Sequence, residues 1–597
     1  MKAYLGNMKY LLCAFFFIAS GTGAWAEVSL RFQMPGAGEA LRDDLLAASL
    51  LRQVEGEDAQ ELLAAAHADY ARLLGALYAN GHFGAVIRIS MDGREAAAID
   101  ALAAPNAFRD ILVRVDPGPL YRFGVAEVAP LARGTELPEG FRRGSPAATG
   151  VIGEAAVTAI EAWRAEGHAK ARVEDQNIVA DHVQTRVDAR LRMAPGPKLK
   201  FGTVSVSGNK AVRSARVLKI AGLDEGRDFD PAEIARAERR LRRSGSFASV
   251  VVEEGEVAPG NTLPLEISVA EQVPRRFGFG AEVSTIEGVR LSGFWLHRNF
   301  LGGAERFRVD GSVSGIGGET GGTDLSFGAR YERPATPSAD VDLFAELSFE
   351  HLDEPDFRSD TGSFELGFTR YATDNLVVEF GLGALYSDVR DDFGEEQYAL
   401  LTLPLAAEYD RRNDPLNPTD GYFLDVEATP FYALSGGDSG ARIEMDARGY
   451  QHLNSDRTLT FAARLQLGSL LGPDLLESPP FYRFYSGGGG TVRGQDYQSL
   501  AIDLGAGNRS GGRSLLALST ELRADVTERI QAVGFFDWGY VGVESFPDLS
   551  GGSHSGAGIG VRYNTGIGPI RFDIATPVSG DTDASSLYFY VGIGQAF

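Results

Sequence analysis

From Pro274 onward the sequence switches to a strict period of two and keeps it for about 320 residues without an interleaved helical pattern. Phe277, Phe279, Ala281 and Val283 alternate with Gly278, Gly280 and Glu282. Val341, Leu343, Ala345, Leu347 and Phe349 alternate with Asp342, Glu346 and Ser348, broken by Phe344; Leu376, Val378, Phe380, Leu382 and Ala384 repeat the pattern after a turn at 372–375. Successive strand side chains point to opposite faces, so each stretch has one apolar face. A soluble sandwich alternates in the same way, but it seldom runs this long. Strands of ~10 residues joined by turns and loops convert this length into an even-numbered membrane barrel of about 14 to 18 strands. The final stretch fits the same scheme, with Leu587, Phe589, Val591, Ile593 and Phe597 expected on one face and Tyr588, Tyr590, Gly592, Gly594 and Ala596 on the other.

The first residues say how such a barrel would reach a membrane. Lys2 and Lys9 precede an apolar core from Leu11 to Ala19 and a small-residue end, Ala24-Trp25-Ala26, the pattern of a secretory signal peptide cleaved after Ala26. The apolar run is too short to cross ~30 Å of hydrocarbon as a helix. The single cysteine, Cys13, lies in this segment, so the mature chain is expected to carry no disulfide and no thiol chemistry. With 73 Gly, 35 Phe and 20 Tyr the composition suits tight turns and aromatic girdles, and a net charge of -24 disfavours nucleic acid as a partner.

Between the leader and the barrel the chain repeats, with a period of roughly 78 residues. DPGPLYRFG (116–124) recurs as APGPKLKFG (194–202) and as VPRRFGFG (273–280). A helix, a glycine and a strand recur between these joints, around Gly81, Gly167 and Gly245. Such a glycine suits the left-handed position that ends a helix. The third unit reads β-α-α-β-β: Thr203 to Ser207 as a strand, a second helix opened by Asp230-Pro231-Ala232-Glu233, and strands at 250–252 and 265–269. Expected boundaries are 27–117, 118–196 and 197–273 for the three units and 274–597 for the barrel. Arg239, Arg240, Arg242 and Arg243 close that second helix, and four cations in a last turn read as a solvated face favoured by the helix dipole rather than as a docking patch. Leu62, Ala66, Tyr70, Leu73 and Leu77 keep helical spacing and read as a core face.

Inside the barrel half lies GGGGTVRG, 487–494, in which Arg493 stands among residues without side chains. Glycines permit tight turns and close approach, so this segment is suited to carry a guanidinium into a crowded place. There the charge needs carboxylate partners or it loses its hydration uncompensated. Nothing in the chain matches a catalytic constellation: there is no G-x-S-x-G, H-E-x-x-H or P-loop pattern, and His82 and His168 fall at equivalent repeat positions, which favours structure over metal binding. The expectation is a protein that is not an enzyme and has no cofactor or metal site.

Three stretches resemble the superfamily of outer-membrane assembly factors that includes BamA, TamA and the two-partner secretion transporters. They are Val492-Arg493-Gly494, the string YDRRNDPLNPTDGYFLDV at 409–426, and GFFDWG at 534–539 followed by GIGPIRFDIATPV at 566–578. The N-terminal units resemble the family's polypeptide-transport-associated (POTRA) domains. The resemblance implies α+β POTRA repeats followed by a 16-stranded transmembrane antiparallel barrel in the outer membrane, with the repeats in the periplasm. It also implies a lumen loop of Val492, Arg493 and Gly494 held by Glu521 and Asp537. Where the family has an aromatic after this tripeptide, this chain has Gln495, with Tyr497 nearby.

Three repeats are similar to TamA, the barrel of the translocation and assembly module. The expected function is therefore assembly of autotransporters and other barrel clients with a TamB-like, inner-membrane-anchored partner. Client strands would add at a seam between the first barrel strand, marked by Phe277 and Gly280, and the last, marked by Gly592, Gly594 and Phe597. The alternatives are a BamA-like insertase, a two-partner secretion transporter, and, from another class, a passive channel with a periplasmic adaptor.

Overall fold

The computed structural model describes residues 28–54, 58–100, 105–284, 287–318, 321–566, 568–583 and 585–597. The leader, with Cys13 and Ala26, lies outside them. The chain divides into two compact units, one of residues up to Leu199 with 228–231 and one of the remainder.

The first unit holds two sheets. In one, Ser29–Gln33 pairs in parallel with Asp110–Asp116, which continues antiparallel to Val86–Met91, and the helices Glu39–Ala48 and Ala59–Ala79 cover it. Leu62, Ala66, Leu73 and Leu77 of the longer helix are buried in this core, as their spacing requires, while Tyr70 packs half-buried at its edge. In the other sheet Arg122–Ala129 pairs in parallel with Arg186–Ala194, which pairs antiparallel with Arg172–Asp181. Only one helix, Thr149–Ala165, lies between its strands among the described residues. The first of the two helices expected in the third unit has no counterpart here, because 130–148 contains Pro130, Gly134, Pro138, Gly140, Gly144 and Pro146, and no helical turn survives that density of breakers. Gly81 and Gly167 end their helices at φ +83° and +97°, a conformation open to glycine at little cost. The histidines that follow play one repeated role: the His82 ring nitrogen bonds the Gly118 carbonyl at 3.3 Å and the His168 ring nitrogen bonds that of Gly196 at 2.8 Å.

The second unit joins a third sheet to the barrel. Lys200–Ser207 pairs in parallel with Thr262–Glu271, and Phe247–Glu254 closes the sheet antiparallel. Helices Ser214–Ala221 and Pro231–Arg243 pack on it through Val217, Ile220, Ala237 and Leu241. The expectation of a solvated arginine face on the second helix is overturned. Arg240 is buried and forms a bidentate pair with Asp340 at 2.7 and 2.6 Å, Arg239 reaches Asp374 at 3.0 Å, and Arg243 lies over the Tyr371 ring at 3.5 Å; Arg239 and Arg242 stay half-exposed, and Arg242 lies beside Glu238 rather than a barrel residue. Asp340, Tyr371 and Asp374 lie at barrel turns, so the basic turn clamps the third sheet to the barrel. The helix dipole favours cations in this turn, but the acids that pair with them arrive from barrel turns 100 or more residues later.

The barrel is closed and antiparallel, running from Arg275–Ser284 to Tyr588–Ile593. Its sixteen strands include one broken at Pro404: Gly394–Thr402 and Leu405–Asp410 both bridge Leu376–Asp391 and Gly421–Ser435. Proline cannot donate to the ladder, and the break falls where it stands. Phe277, Phe279, Leu382 and Ile559 point outward at 64%, 88%, 65% and 69% exposure, the apolar band a barrel presents to lipid. Among the described residues no helix is long and apolar enough to cross a membrane; the strands make the crossing. Phe344, which broke the alternation, turns inward and lies buried under the Arg330 guanidinium, 4.1 Å away.

Candidate functional site: the lumen loop and the strand seam

The eleventh strand, Leu459–Leu471, and the twelfth, Ser514–Asp525, are joined by 472–513, and this connection folds back into the barrel. Its first part fills one end of the lumen with Phe484, Phe481, Tyr482 and Tyr485, packed on Tyr398, Leu400, Phe431, Leu470 and Val541 of the wall. Arg483 ties this part to itself through Ser478 and Ser510. Beyond it the chain descends to Arg493.

Arg493 is buried and fully partnered. Its Nε and Nη2 donate to the two oxygens of Asp537 at 2.8 and 3.1 Å, its Nη1 donates to Glu521 at 2.7 Å and to Asp573 at 3.3 Å, and its own backbone N–H also reaches Asp537. The guanidinium lies 3.6 Å from the centre of the Phe535 ring. Asp537 sits within the strand Ile530–Gly542, not in a turn, and alternation aims it inward beside Phe535. The sequence reasoning that named Arg493, Glu521 and Asp537 therefore named groups that meet.

Reasoning from sequence did not single out the rest. Asp573 lies in the GPIRFDIATPV string and also binds Arg562, whose Nε donates to Gln595 at 3.0 Å. Glu521 is shared with Arg523 at 2.8 Å, and Arg523 donates to the carbonyls of Pro418 and Phe597 at 3.3 and 3.2 Å. Three guanidinium groups and three carboxylates thus neutralise one another, none with more than 4% of its side chain exposed. The signal available was a charged residue on the inward parity of an apolar strand. Glycine spacing was a second signal: Gly556, Gly558 and Gly560 all face inward on Gly552–Thr565. A Cβ at these positions would fall 2.0 Å from the Arg493 carbonyl, 2.4 Å from the Phe535 ring and 2.0 Å from Asp573. These positions make room for the loop, the ring and the ion pair in turn.

Val492 is fully buried against Gly539, where a Cβ would approach it at 2.8 Å. Gly494 turns at φ +89° with its Cα against the Thr576 backbone, and its N–H donates to the Tyr590 hydroxyl at 3.2 Å. Gln495 takes a different route from an aromatic. Its amide donates to the carbonyls of Ser555 and Ser579 at 2.7 and 2.8 Å and accepts from Thr582 at 2.8 Å, so hydrogen bonds fix the loop to two strands and the turn beyond them. Tyr497 points elsewhere, donating to Glu354 at 3.0 Å.

The seam is the other expected site. Most neighbouring barrel strands share eight or more register pairs; the first and last share two, Val283 with Val591 and Ser284 with Tyr590, among the described residues. Gly280 and Gly592 do not face each other: extending that register sets Gly592 against Glu282. Phe277 and Gly280 lie beyond the paired stretch. Gly594, at φ +102°, ends the last strand, and 594–597 turn into the lumen. Phe597 is therefore not on the outer face with Phe589 and Ile593. It is buried against Tyr450 and Ala462, 5.5 Å from the Arg523 guanidinium, because the residue just before Gln595 leaves the wall and reverses the expected parity. Gln595 donates to Asn417 at 2.8 Å. The stretches at 409–426, 492–494, 534–539 and 566–578 thus converge with the last residues on one buried polar network.

A closed sixteen-stranded barrel with an internally anchored loop, preceded by βαβ-type repeats, defines a class of outer-membrane protein. Residues 299–597 match the Omp85 superfamily domain and 199–272 match POTRA, the surface antigen variable number repeat. The chain belongs to the Omp85 superfamily, and its place is the outer membrane with the POTRA domains in the periplasm. It is 24% identical over 442 residues to outer membrane protein assembly factor BamA of Nitratidesulfovibrio vulgaris, covering 71% of this chain and 54% of that protein. It is 20% identical over 498 residues to the BamA of Neorickettsia risticii, covering 78% and 64%. The chain therefore spans about half to two thirds of the length of these curated relatives. Its fold is similar to that of BamA from Haemophilus ducreyi lacking POTRA domains 1-3, with TM-score 0.61 at 17% identity over 79% of this chain and 100% of that one. It is also similar to that of CdiB from Acinetobacter baumannii, with TM-score 0.52 at 12% identity over 80% and 90%.

Proposed function

We propose that this protein assembles other outer-membrane proteins, in the manner of TamA, by offering the edge of its first barrel strand to incoming client strands. The observation that carries this reading is the two-pair ladder between the first and last strands. Backbone groups in lipid need partners, and a wall joined by two pairs can exchange them for a client's without leaving any unsatisfied for long. The fold shared with a BamA and the relatives named as assembly factors support it. The finer assignment adds autotransporters among the clients and a TamB-like, inner-membrane-anchored protein as periplasmic partner. Within the assembly class a BamA-like insertase is the alternative, and a loop that occupies the lumen speaks against a passive channel.

A disulfide between Val283→Cys and Val591→Cys, register partners in a mature chain without native cysteine, tests the mechanism. Locked protein should stay folded and stop inserting a barrel client into membranes, and reduction should restore insertion. Insertion at the unlocked rate would refute strand addition at this seam. Co-purification with a TamB-like protein, lost when 27–117 are deleted, tests the finer assignment.

A further inference from the structure

The seam is held from inside the lumen by side chains that the ladder does not account for. Arg571, on the fifteenth strand Gly568–Ser579, reaches across the last strand to the first: its Nη2 donates to Glu282 at 2.6 Å. The path runs over Gly592, where a Cβ would stand 3.1 Å from Arg571 Nε and 3.3 Å from Glu282 Oε1. A side chain there would crowd the pair, so the bare backbone of the last strand is what lets its two neighbours join over it. The reach has a cost, because Arg571 Nε is buried with no hydrogen-bond partner.

A second hold comes from the loop. Gly489 N–H donates to Glu287, at the hairpin that follows the first strand, at 2.8 Å. The same loop grips the other side of the seam through Gly494 to the Tyr590 hydroxyl and through Asp496, which accepts from the Tyr588 hydroxyl at 2.8 Å. Both holds border one polar cavity of about 410 Å³, lined by Glu282, Glu287, Gly489, Arg571 and Tyr590 among others. Water in such a cavity can take over either bond once it parts.

We infer that Glu282 and Glu287 are the positioning residues of the seam: each ties the first hairpin to an element on the far side, Glu282 to Arg571 and Glu287 to the Arg493 loop, and together they set how often the seam opens. This rests on the reading of the seam as the working edge. It goes further in making the closed state a property of two lumenal carboxylates more than of the two-pair ladder. Because one of the two acts through the loop, release of Arg493 from its carboxylates and opening of the seam are coupled events.

The test reads the seam directly, without a client. Mature protein in lipid bilayers carries spin labels at Phe279→Cys and Phe589→Cys, both lipid-facing, and pulsed electron paramagnetic resonance gives the distance distribution. Glu282→Gln should raise the separated population roughly threefold, since its pair is half-exposed, and Glu282→Gln with Glu287→Gln roughly tenfold. Glu282→Arg with Arg571→Glu, which rebuilds the pair reversed, should return the distribution toward the parent. Gly592→Ala keeps both charges while crowding the pair and should open the seam as Glu282→Gln does. A parental distribution in both the double Gln variant and Gly592→Ala would overturn the inference, as would a charge-reversed pair that stays as open as Glu282→Gln. The two readings fail separately: variants that open the seam yet insert clients at the parental rate would leave these holds standing and refute the seam as the working edge.

Discussion

Two walls of the same barrel meet the problem of inward-facing charge in opposite ways. From the twelfth strand to the fifteenth, Glu521, Arg523, Asp537, Arg562 and Asp573 are buried, and the loop adds Arg493 to balance them. From the fourth strand to the tenth, the lumen face carries Glu346, Glu365, Glu379, Glu408, Asp425, Glu427 and Glu444, with Arg330 and Arg442 among them, and these side chains are half-buried or exposed. Strand chemistry is similar on both walls. What differs is water: around Arg493 the loop excludes solvent and every charge needs a partner, and along the acidic wall solvent screens a surplus of acid. The dry wall is rigid by necessity. The wet wall tolerates change.

The largest contrast should come from deleting one guanidinium on each wall. Arg493→Ala strips buried Asp537 of its guanidinium and leaves three carboxylates to two guanidinium groups, and should lower the unfolding free energy of the barrel by ~3 to 5 kcal/mol. Arg330→Ala removes contacts to Glu332, Glu346 and Glu379, but these groups can hydrate, and the loss should be ~1 kcal/mol. Heat-modifiable gel mobility across a temperature series measures both, and equal losses would mean that the two walls are equally hydrated.

A double-mutant cycle sharpens it. Asp537→Ala with Arg493→Ala should be less than additive by about 2 kcal/mol, because each single change strands the other charge. Strict additivity would mean that the bidentate pair is geometry without energy.

Glycine substitutions give a middle effect. Gly556→Ala drives a Cβ to 2.0 Å from the Arg493 carbonyl, backbone that cannot step aside, and should cost ~1 to 3 kcal/mol and expose the loop to protease. Gly381→Ala on the wet wall approaches the Glu365 side chain at 2.2 Å, a flexible group that can swing into solvent, and should change stability by less than ~0.5 kcal/mol.

The smallest effect belongs to the clamp outside the lumen. Hydrogen bonding from Arg240 holds the Asp340 carboxyl below its ordinary range, and Asp340 is partly exposed. A carboxylate with a lowered folded-state pKa stabilises above its unfolded value, about 3.9, and loses that contribution as pH falls through the folded value. Moving from pH 7 to pH 5 should leave the third sheet as firmly clamped as before. Release, followed by proteolysis at 272–275, should begin only below about pH 4, and Asp340→Asn should abolish that step while costing no more than ~1 kcal/mol at pH 7.

Much of this was legible because it is local. Alternation is written in each strand separately, so the barrel, its outward Phe279 and Phe589, and the tight turns at Gly118 and Gly196 follow from neighbours in sequence. Arg493 was conspicuous because glycines surround it, and its partners Glu521 and Asp537 came with the motif resemblance. Other features depend on which strands end up side by side. Asp573, Arg523 and Arg562 are ordinary inward residues until closure brings four strands and the loop to one point. Arg240 is a solvated cation until Asp340 arrives from a barrel turn, and Phe597 is lipid-facing until Gly594 reverses the chain. Arg571 meets Glu282 across 289 positions only because the last strand lies between theirs and carries no side chain at Gly592. Sequence determined which way each residue faces, through a backbone period of two; tertiary structure decided which facing residues touch, through closure and stagger of the strands, and no single strand encodes those.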